Sequence, residues 1–387
     1  MTAATPATRV VPRRETGAGP RRRAAVVLLA VVGTLCVIGL VMVLSASSVQ
    51  ALADQRSPWR FFLRQLLWLA VGATALALTS RVDYHRWRRA GLPLVIVSAG
   101  LLVAVLVPGV GLSAGGSTRW LGTAGWRVQP SELAKLALLL FAADLLSRMQ
   151  AADRVRAAMW GAVSAFALFA VPVMLQPDMG TTLILGAITM AVLFTAAVPL
   201  GPMVGLLATS VAGAVLVGLA EPYRRARLMA FRNPWADAGN TGYQVVQSLV
   251  GLGTGRITGV GVGASRAKWG FLPNAHTDFI FAIIGEELGL VGSLLVLGLF
   301  AALTALGVQA ALRAADLFGM LLAAGITAWV ATQAVINIGA VTGMLPVTGV
   351  PLPFVSFGGS SLVILMAAIG ILVNVTNQGR RAPGPVG

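Results

Sequence analysis

The chain has little with which to face water. Charged residues make up 11% of its 387 positions, against roughly 25% in a soluble domain, and the mean hydropathy is +0.83. These values exclude a soluble enzyme, a disordered regulator and a small secreted scaffold. Cysteine is nearly absent: Cys36 stands alone inside an apolar run, so neither an intramolecular disulfide nor a thiolate metal cluster can be built. Histidine is limited to His85 and His276, far apart in the chain, which leaves no histidine metal cluster. What the sequence has instead is 57% hydrophobic residues and a formal charge of +16. The class this describes is an all-α, polytopic membrane protein.

A hydrocarbon core about 30 Å thick takes roughly 20 apolar residues per helix. That window selects ten segments, at about 24–45, 61–79, 92–112, 131–149, 158–175, 181–199, 203–220, 279–300, 318–342 and 361–376. The first follows a basic tail bearing Arg9, Arg13, Arg14 and Arg21 to Arg23. Its apolar stretch exceeds the roughly 7–15 residues of a signal-peptide core, so a retained helix is expected. With that tail in the cytoplasm, the inner loops and the other tail hold Arg81, Arg86, Arg88, Arg89, Arg148, Arg154, Arg156, Arg313, Arg380 and Arg381. The short outer loops hold only Arg56, Arg60, Arg119 and Arg127. The positive-inside rule therefore puts both termini in the cytoplasm and makes most of the charge a topology signal, with no nucleic-acid partner implied. The organisation expected is a basic tail (1–23), a membrane domain (24–376) with one large extracytoplasmic loop (221–278) between helices seven and eight, and a cytoplasmic tail (377–387).

The long loop is exempt from that charge count, and structureless loops of its size are usually functional. It carries Arg224, Arg225, Arg227, Arg232, Arg256, Arg266 and Lys268 against Glu221, Asp237 and Asp278. Two readings fit: a solvated basic loop facing phospholipid, or a site for an anionic substrate outside the membrane. Tyr243 to Leu252 is apolar enough for a short interfacial helix. Gly251, Gly253, Gly255, Gly259, Gly261 and Gly263 lack the spacing and the lysine of a phosphate loop, and read as flexible turns.

Four of the helices open on proline and polar residues: Gln129-Pro130-Ser131-Glu132, Gln176-Pro177-Asp178, Pro273 to Asp278, and Pro351 to Ser361. Each is a plausible cap by itself, since proline suits the first helical turn and a nearby carboxylate complements the helix dipole. Together they would aim positive helix ends at one cavity, which suits a phosphate-bearing ligand. Ionisable groups at membrane depth are functional hypotheses by default. Glu132 and Lys135, spaced i, i+3, can neutralise each other. Of Glu286 and Glu287, at most one is expected to share the helix face of Asp278. Arg64 and Asp144 read as interfacial or packed residues. Asp278 combines access, a helix start and a preceding basic loop.

These phrases resemble the SEDS family of bacterial cell-wall proteins, its division-type FtsW branch more closely than its elongation-type RodA branch. The likeness runs from about 24 to 376 and is carried by VMVLSASS (41–48), GSTRWL (116–121), QPSELAK (129–135), QPDMGT (176–181), AHTDFIFAIIGEELG (275–289) and LPFVSFGGSSL (352–362). SASS and SRAKWGFLP (265–273) carry the division-type assignment, while PVTGVPLPF (346–354) is common to both branches. The resemblance implies a peptidoglycan glycosyltransferase that polymerises lipid II at the outer face of the bacterial cytoplasmic membrane, at the division septum. It also implies a class B penicillin-binding transpeptidase as partner, with other divisome membrane proteins. The family's essential aspartate maps onto Asp278. Its other polar positions map onto Arg119 and Trp120, Glu132 and Lys135, Asp178, Glu286 and Glu287, and the Ser356 to Ser361 segment, which includes Ser360. Two departures stand out: Asn274 where the family often has glutamate, and Phe357 where tyrosine is commoner.

Lipid II brings its own leaving group, a lipid diphosphate. The protein must add a base for the attacking sugar hydroxyl and cations or dipoles for the departing diphosphate. Asp278 is assigned as general base and catalytic residue. Arg119, Lys135, Arg266 and Lys268, with Arg224 and Arg225, are assigned to the diphosphate, and Trp120, Glu132, Asp178, His276, Ser356 and Ser360 complete the expected substrate-binding set. A single acting carboxylate implies inversion at the anomeric carbon. A divalent cation, Mg2+ or Mn2+, bridging Asp278 and the diphosphate is compatible with this chemistry, and no ligand set in the sequence demands it. The competing readings are an elongation-type polymerase, a lipid-precursor flippase, which would place charges on broken helices at mid-membrane, and a non-catalytic scaffold. The topology has a direct test. In a Cys36→Ala background, Asn240→Cys should react with an impermeant maleimide in wall-stripped cells and Ala152→Cys should not; labelling at 152 alone would invert the topology.

Overall fold

The computed structural model describes residues 19–53, 57, 59–114, 117–123, 126–148, 152–208, 231–273 and 275–379. In order they form α1 (Gly19–Ala53), α2 (Trp59–Arg81), a 3-10 turn (Tyr84–Arg89), α3 (Gly91–Leu106), β1 (Leu112–Ala114), β2 (Ser117–Gly122) and β3 (Arg127–Val128). Then follow α4 (Pro130–Arg148), α5 (Ala152–Leu175), α6 (Met179–Thr195), α7 (Tyr243–Thr254), α8 (Ile280–Leu312), α9 (Leu317–Val341) and α10 (Gly359–Gln378). Helices coincide with every apolar segment expected except 203–220, which is helical as far as residue 208 and otherwise lies outside the described residues. Arg9, Arg13, Arg14, Glu221, Arg224, Arg225, Arg227, Asn274, Arg380 and Arg381 also lie outside them. Within the described residues, α1, α2, α5, α8, α9 and α10 are long and apolar enough to cross a membrane, while α3 and α6 are apolar but shorter.

The all-α expectation meets one exception. β1, β2 and β3 form a small antiparallel sheet in that order. Pro108 and Gly109, the latter at φ +85°, turn the chain after Leu106. The segment expected to stay helical to about residue 112 therefore becomes a hairpin.

Val26, Val37 and Val41 of α1 are exposed, while Leu28, Val32, Leu35, Met42 and Val43 are buried. When the solvent is lipid, an apolar exterior carries no penalty and association is decided by close packing and polar contacts. α2 accordingly lies along α10 where glycines leave room: Gly72 beside Met366, Gly359 beside Trp68 and Gly370 beside Thr79. Thr79 Oγ1 also donates to the Ala367 carbonyl at 2.9 Å. α9 sits among α4, α6, α8 and α10, with Gly325 admitting Leu139 and Val192.

α8 is broken at Gly289, at φ +67° and ψ −161°. In an unbroken helix the carbonyls of Glu286 and Glu287 would accept from the N–H groups of residues 290 and 291. Here they accept from Val260 and Gly261, at 2.9 and 3.1 Å. The N–H groups of Leu290 and Val291 donate to the Arg256 and Ile257 carbonyls at 2.9 and 3.1 Å. Residues 255–261 are thus spliced into the gap. A side chain at Gly255 would collide with the Gly285 carbonyl, and one at Gly259 (φ +82°) with the Glu287 carbonyl. Of the glycines read as flexible turns, Gly255 and Gly259 are positions of close backbone approach, while a side chain at Gly253, Gly261 or Gly263 would meet nothing within 4 Å. α7 departs from expectation in the same direction. Its Val245, Val246 and Ser248 are buried, and Ser248 Oγ donates to the Val341 carbonyl at 2.7 Å, so it is packed on the bundle.

A second polar cluster lies at the far end of α8, about 45–50 Å of helix away at 1.5 Å per residue. Asp316 caps α9 through Gly319 N at 2.9 Å and accepts from Tyr84 Oη at 2.9 Å. Arg88 pairs with Asp144 at 3.3 Å and Asp316 at 3.5 Å, and Arg148 pairs with Asp144 at 2.7 Å. Asp144 is a packed structural carboxylate, as its position suggested.

The splice predicts an asymmetry between neighbouring glycines. Gly255→Ala should lower thermal stability in detergent by about 1–3 kcal/mol, the usual range for overpacking. Gly253→Ala, whose added Cβ meets nothing within 4 Å, should be neutral or stabilising by about 0.5–1 kcal/mol. Equal melting temperatures for the two variants would contradict the close approach.

Candidate functional site

The starts of α4, α6, α8 and α10 meet at one end of the bundle and are stitched together directly. Gln129, just before α4, receives its N–H bond partner from α10, Ser360 Oγ at 3.1 Å, and donates from Nε2 to Asp178 Oδ2 at 3.2 Å. Asp178 is the N-cap of α6: its carboxylate accepts from Thr181 N at 3.1 Å and Thr181 Oγ1 at 2.9 Å. The loop before α10 lies on the turn before α8. Phe357 N donates to the His276 carbonyl at 3.0 Å, and Ser356 Oγ donates to the Thr277 carbonyl at 2.6 Å while accepting from Leu352 N at 2.8 Å.

Asp278 lies in the turn 275–279 and is half-buried. The N-cap position of α8 belongs to Phe279, which makes no side-chain cap. The aspartate is therefore one residue before the cap. Its carbonyl accepts from Asn337 Nδ2 at 2.7 Å. Its carboxylate faces Gly349 (φ +74°), where an added Cβ would stand 3.5 Å from Asp278 Oδ2. Residue 349 thus puts no side chain against the acid. Behind the turn, His276 packs with Phe61 at 5.0 Å and Phe357 at 5.7 Å between ring centroids. Burial pushes its pKa down to about 4, so the ring is neutral at neutral pH and supplies no cation. Phe357 also packs edge-on against Phe61 at 5.5 Å between centroids.

Several residues expected to meet substrate are engaged with the protein instead. Glu132 and Lys135 form a buried ion pair at 2.7 Å with side chains 3% and 1% exposed. Lys135 Nζ also donates to Gln333 Oε1 at 3.3 Å and lies 4.9 Å over the Trp329 ring. Arg119, on β2, donates from Nε to the Gln176 carbonyl at 3.0 Å and from its terminal nitrogen to the Pro177 carbonyl, with Asp178 at 3.8 Å. It clasps the entry to α6. Trp120, next to it, is partly exposed and pairs with Leu112 across the hairpin. Ser356 and Ser360 are the stitches described above.

The loop after the splice is held by both glutamates. Glu286 accepts from Arg266 N at 2.8 Å, Ala267 N at 3.2 Å and Ser265 Oγ. Glu287 accepts from Ser45 Oγ at 2.6 Å and pairs with Lys268 Nζ at 3.2 Å. Lys268 also donates to the Gly263 carbonyl at 2.6 Å and Ser45 Oγ at 3.1 Å. The assignment of Lys268 to the diphosphate therefore gives way to a buried structural ion pair, because its ammonium has no face to solvent. Glu286 and Glu287 both reach this one loop. Arg266 is different: only its backbone is used, and its side chain is exposed.

Sequence reasoning passed over Gln65, Gln333, Asn337, Ser45 and Ser265. Gln65 Nε2 donates to the Ser356 carbonyl at 3.3 Å, and Gln333 Nε2 to the Pro351 carbonyl at 3.0 Å. The available signal was an amide side chain inside an otherwise apolar helix, with Gln333 and Asn337 one turn apart on α9. Among the described residues no three His, Cys, Asp or Glu side chains converge to hold a metal ion. Asp278 offers one carboxylate toward a divalent cation.

The chain matches the FtsW/RodA/SpoVE family, described as cell cycle proteins, over residues 25–381. It is 39% identical to a probable peptidoglycan glycosyltransferase FtsW of Geobacter metallireducens, covering 92% of this chain and 96% of that protein. It is 41% identical to the stage V sporulation protein E of Bacillus subtilis, over 91% and 97% of the two chains. Among solved structures it resembles a chain from a peptidoglycan synthase complex described as coordinating polymerization and crosslinking, with TM-score 0.73, 29% identity and 90% and 96% coverage. It also resembles the rod shape determining protein RodA of Thermus thermophilus, with TM-score 0.65, 27% identity and 90% and 95% coverage.

The two loop cations should separate by phenotype. Lys268→Met strands Glu287 as an uncompensated buried charge, so stability should fall by about 3–5 kcal/mol. Arg266→Gln should fold like the parent, leaving only exposed electrostatics altered, and these are screened over about 8–10 Å at ordinary ionic strength. Thermal unfolding of both proteins in detergent decides it; a fully stable Lys268→Met protein would remove the ion pair from the account.

Proposed function

The chain belongs to the FtsW/RodA/SpoVE family of cell cycle proteins, and from that membership we propose that it is a peptidoglycan glycosyltransferase that polymerises lipid II at the outer face of the cytoplasmic membrane. The observation that carries this reading is end-to-end likeness: FtsW proteins named as peptidoglycan glycosyltransferases align with more than nine-tenths of the chain at about 40% identity. Sequence identity to these division-type relatives exceeds the 27% identity to RodA, which favours septal synthesis over the elongation role. The likeness to a chain of a peptidoglycan synthase complex supports a class B penicillin-binding transpeptidase as partner. The topology that suits an undecaprenyl-linked substrate has about ten transmembrane helices, both termini inside and the 221–278 loop outside.

The chemistry proposed is one displacement. The acceptor sugar's hydroxyl attacks the donor's anomeric carbon, and its proton passes to the Asp278 carboxylate. The bond from that carbon to the diphosphate oxygen breaks, and undecaprenyl diphosphate leaves with the electron pair. Inversion follows from a single displacement. Arg266 is the exposed cation closest in sequence to the turn, and it is assigned to the departing diphosphate. A divalent cation would add charge neutralisation at the diphosphate; no step is routed through it.

Asp278→Asn and Asp278→Ala test the base. Neither changes the N-cap residue of α8, so both should insert, and glycan yield is compared per folded molecule. Asparagine accepts no proton at neutral pH, and general base catalysis contributes about 10²–10⁴-fold, so glycan yield from lipid II should fall by that order in both. An active asparagine variant would overturn the assignment.

A further inference from the structure

We propose that Asn337 is a positioning residue for Asp278, acting through the backbone of the turn that carries it; this rests on the reading of Asp278 as the catalytic base. Asn337 lies on α9 and is 2% exposed. Its Nδ2 donates at 2.7 Å to the Asp278 carbonyl and at 2.7 Å to the Val350 carbonyl. Both acceptors are carbonyl oxygens with no hydrogen to give, so only the NH2 edge of the amide satisfies them and its orientation is fixed.

The two carbonyls belong to segments that flank the acid. One is Asp278 itself; the other follows Gly349, the residue facing the Asp278 carboxylate. Fixing the carbonyl of residue 278 fixes the rotation of its backbone, and with it the direction in which the side chain leaves the turn. Joining it to Val350 sets the width of the gap in which the carboxylate stands. Gln333, one turn earlier on the same face, anchors the neighbouring Pro351 carbonyl and is itself held by Trp329 Nε1 at 2.9 Å and Lys135 Nζ at 3.3 Å. The clamp is therefore mounted on a rigid base.

Asn337 Oδ1 is buried and accepts no hydrogen bond. An orphaned buried acceptor is costly, and an apolar side chain of the same shape would avoid it. A residue kept for packing alone would have no use for this amide. Its two donors are what the site uses, and displacement of a reacting group by about 1 Å can cost on the order of 100-fold in rate.

The test compares Asn337→Leu with Asn374→Leu in the full-length protein. Asn374 is a buried amide of the far cluster, donating to the Ser80 carbonyl at 2.8 Å and accepting from Tyr84 N at 2.9 Å. It matches Asn337 in chemistry but not in place. Per folded molecule, Asn337→Leu should lower kcat on lipid II by about 10–100-fold with KM within about twofold, while Asn374→Leu should turn over like the parent. Equal losses per folded molecule would make Asn337 merely structural and overturn the proposal. Asn337→Asp, which keeps the shape and replaces the donors with acceptors, serves if the leucine variant does not fold.

A second readout needs no activity. In a Cys36→Ala, Asp278→Cys protein, the alkylation rate of the thiol at 278 should change severalfold on adding Asn337→Leu and stay constant on adding Asn374→Leu. An unchanged rate in the first case overturns the proposal. If the parent protein makes no glycan, the glycosyltransferase reading fails, and the alkylation rates still decide the role of Asn337.

Discussion

A helix broken inside an apolar bundle leaves backbone groups that no water can satisfy, and the Asp278 end of this molecule is organised around that requirement. At Gly289 the two carbonyls and two N–H groups released by the break are matched one for one by residues 256, 257, 260 and 261. In a low-dielectric interior an unmatched group costs several kcal/mol, so the splice is obligatory once the break exists. Its consequences run outward. The inserted strand of loop must approach helix backbone closely, which selects glycine at 255 and 259. The loop beyond it then enters the bundle with its own N–H groups at Ser265, Arg266 and Ala267, and the carboxylates of Glu286 and Glu287 accept them. Two buried carboxylates need compensation. Lys268 supplies the cation, and Ser45 from α1 supplies a hydroxyl, which ties the first helix to the eighth.

The same economy governs the other charges at this end. Taking a charge out of water is costly, and mutual attraction repays it only when the remaining donors and acceptors are matched. Asp178 with its cap bonds and Gln129, and Lys268 with Glu287, meet that condition, while Glu132 is compensated by its ion pair with Lys135. Each removes a charge from the pool that a ligand can use. Among the described residues Arg127, Arg256 and Arg266 remain exposed cations, and Asp278 is half-buried. The polar side chains that hold the frame lie in the same short motifs as Asp278 and Arg266.

That mixture bears on what could be seen in the sequence. The helices were legible because lipid imposes a length and an apolar composition that few other solvents impose; α1, α2, α8, α9 and α10 follow directly from it. The place of Asp278 at the turn before α8 was legible because an acid at the mouth of an apolar helix marks where that helix starts. Lys268 and Ser356 were misread for a different reason. A cation or hydroxyl in a family motif signals that the position matters, and nothing in one dimension distinguishes a bond to a diphosphate from a bond to Glu287 or to the Thr277 carbonyl. Gly255 and Gly259 suffered the same ambiguity, since flexibility and close approach select the same residue. The β-hairpin around Arg119 was hidden by its brevity: strands of three, six and two residues fall below any useful periodicity.

The contrast between Asn337 and the ion pairs shows two kinds of stiffness near Asp278. An ion pair in the place of Asn337 would bias the carboxylate, favouring its charged form with a cation or its neutral form with an anion. An amide exerts no such charge. Held by two carbonyl acceptors, it constrains the backbone at 278 and 350 while leaving the acid's proton affinity to its own surroundings. The neutral His276 beneath the turn follows the same logic, as does Phe357 beside it: a wall that is stiff, aromatic and uncharged. Charge is concentrated a few residues away, in Lys268 and Glu287, where it fixes the loop that presents Arg266. Around the turn that carries Asp278, the described support from Asn337, His276 and Phe357 is thus drawn from uncharged side chains.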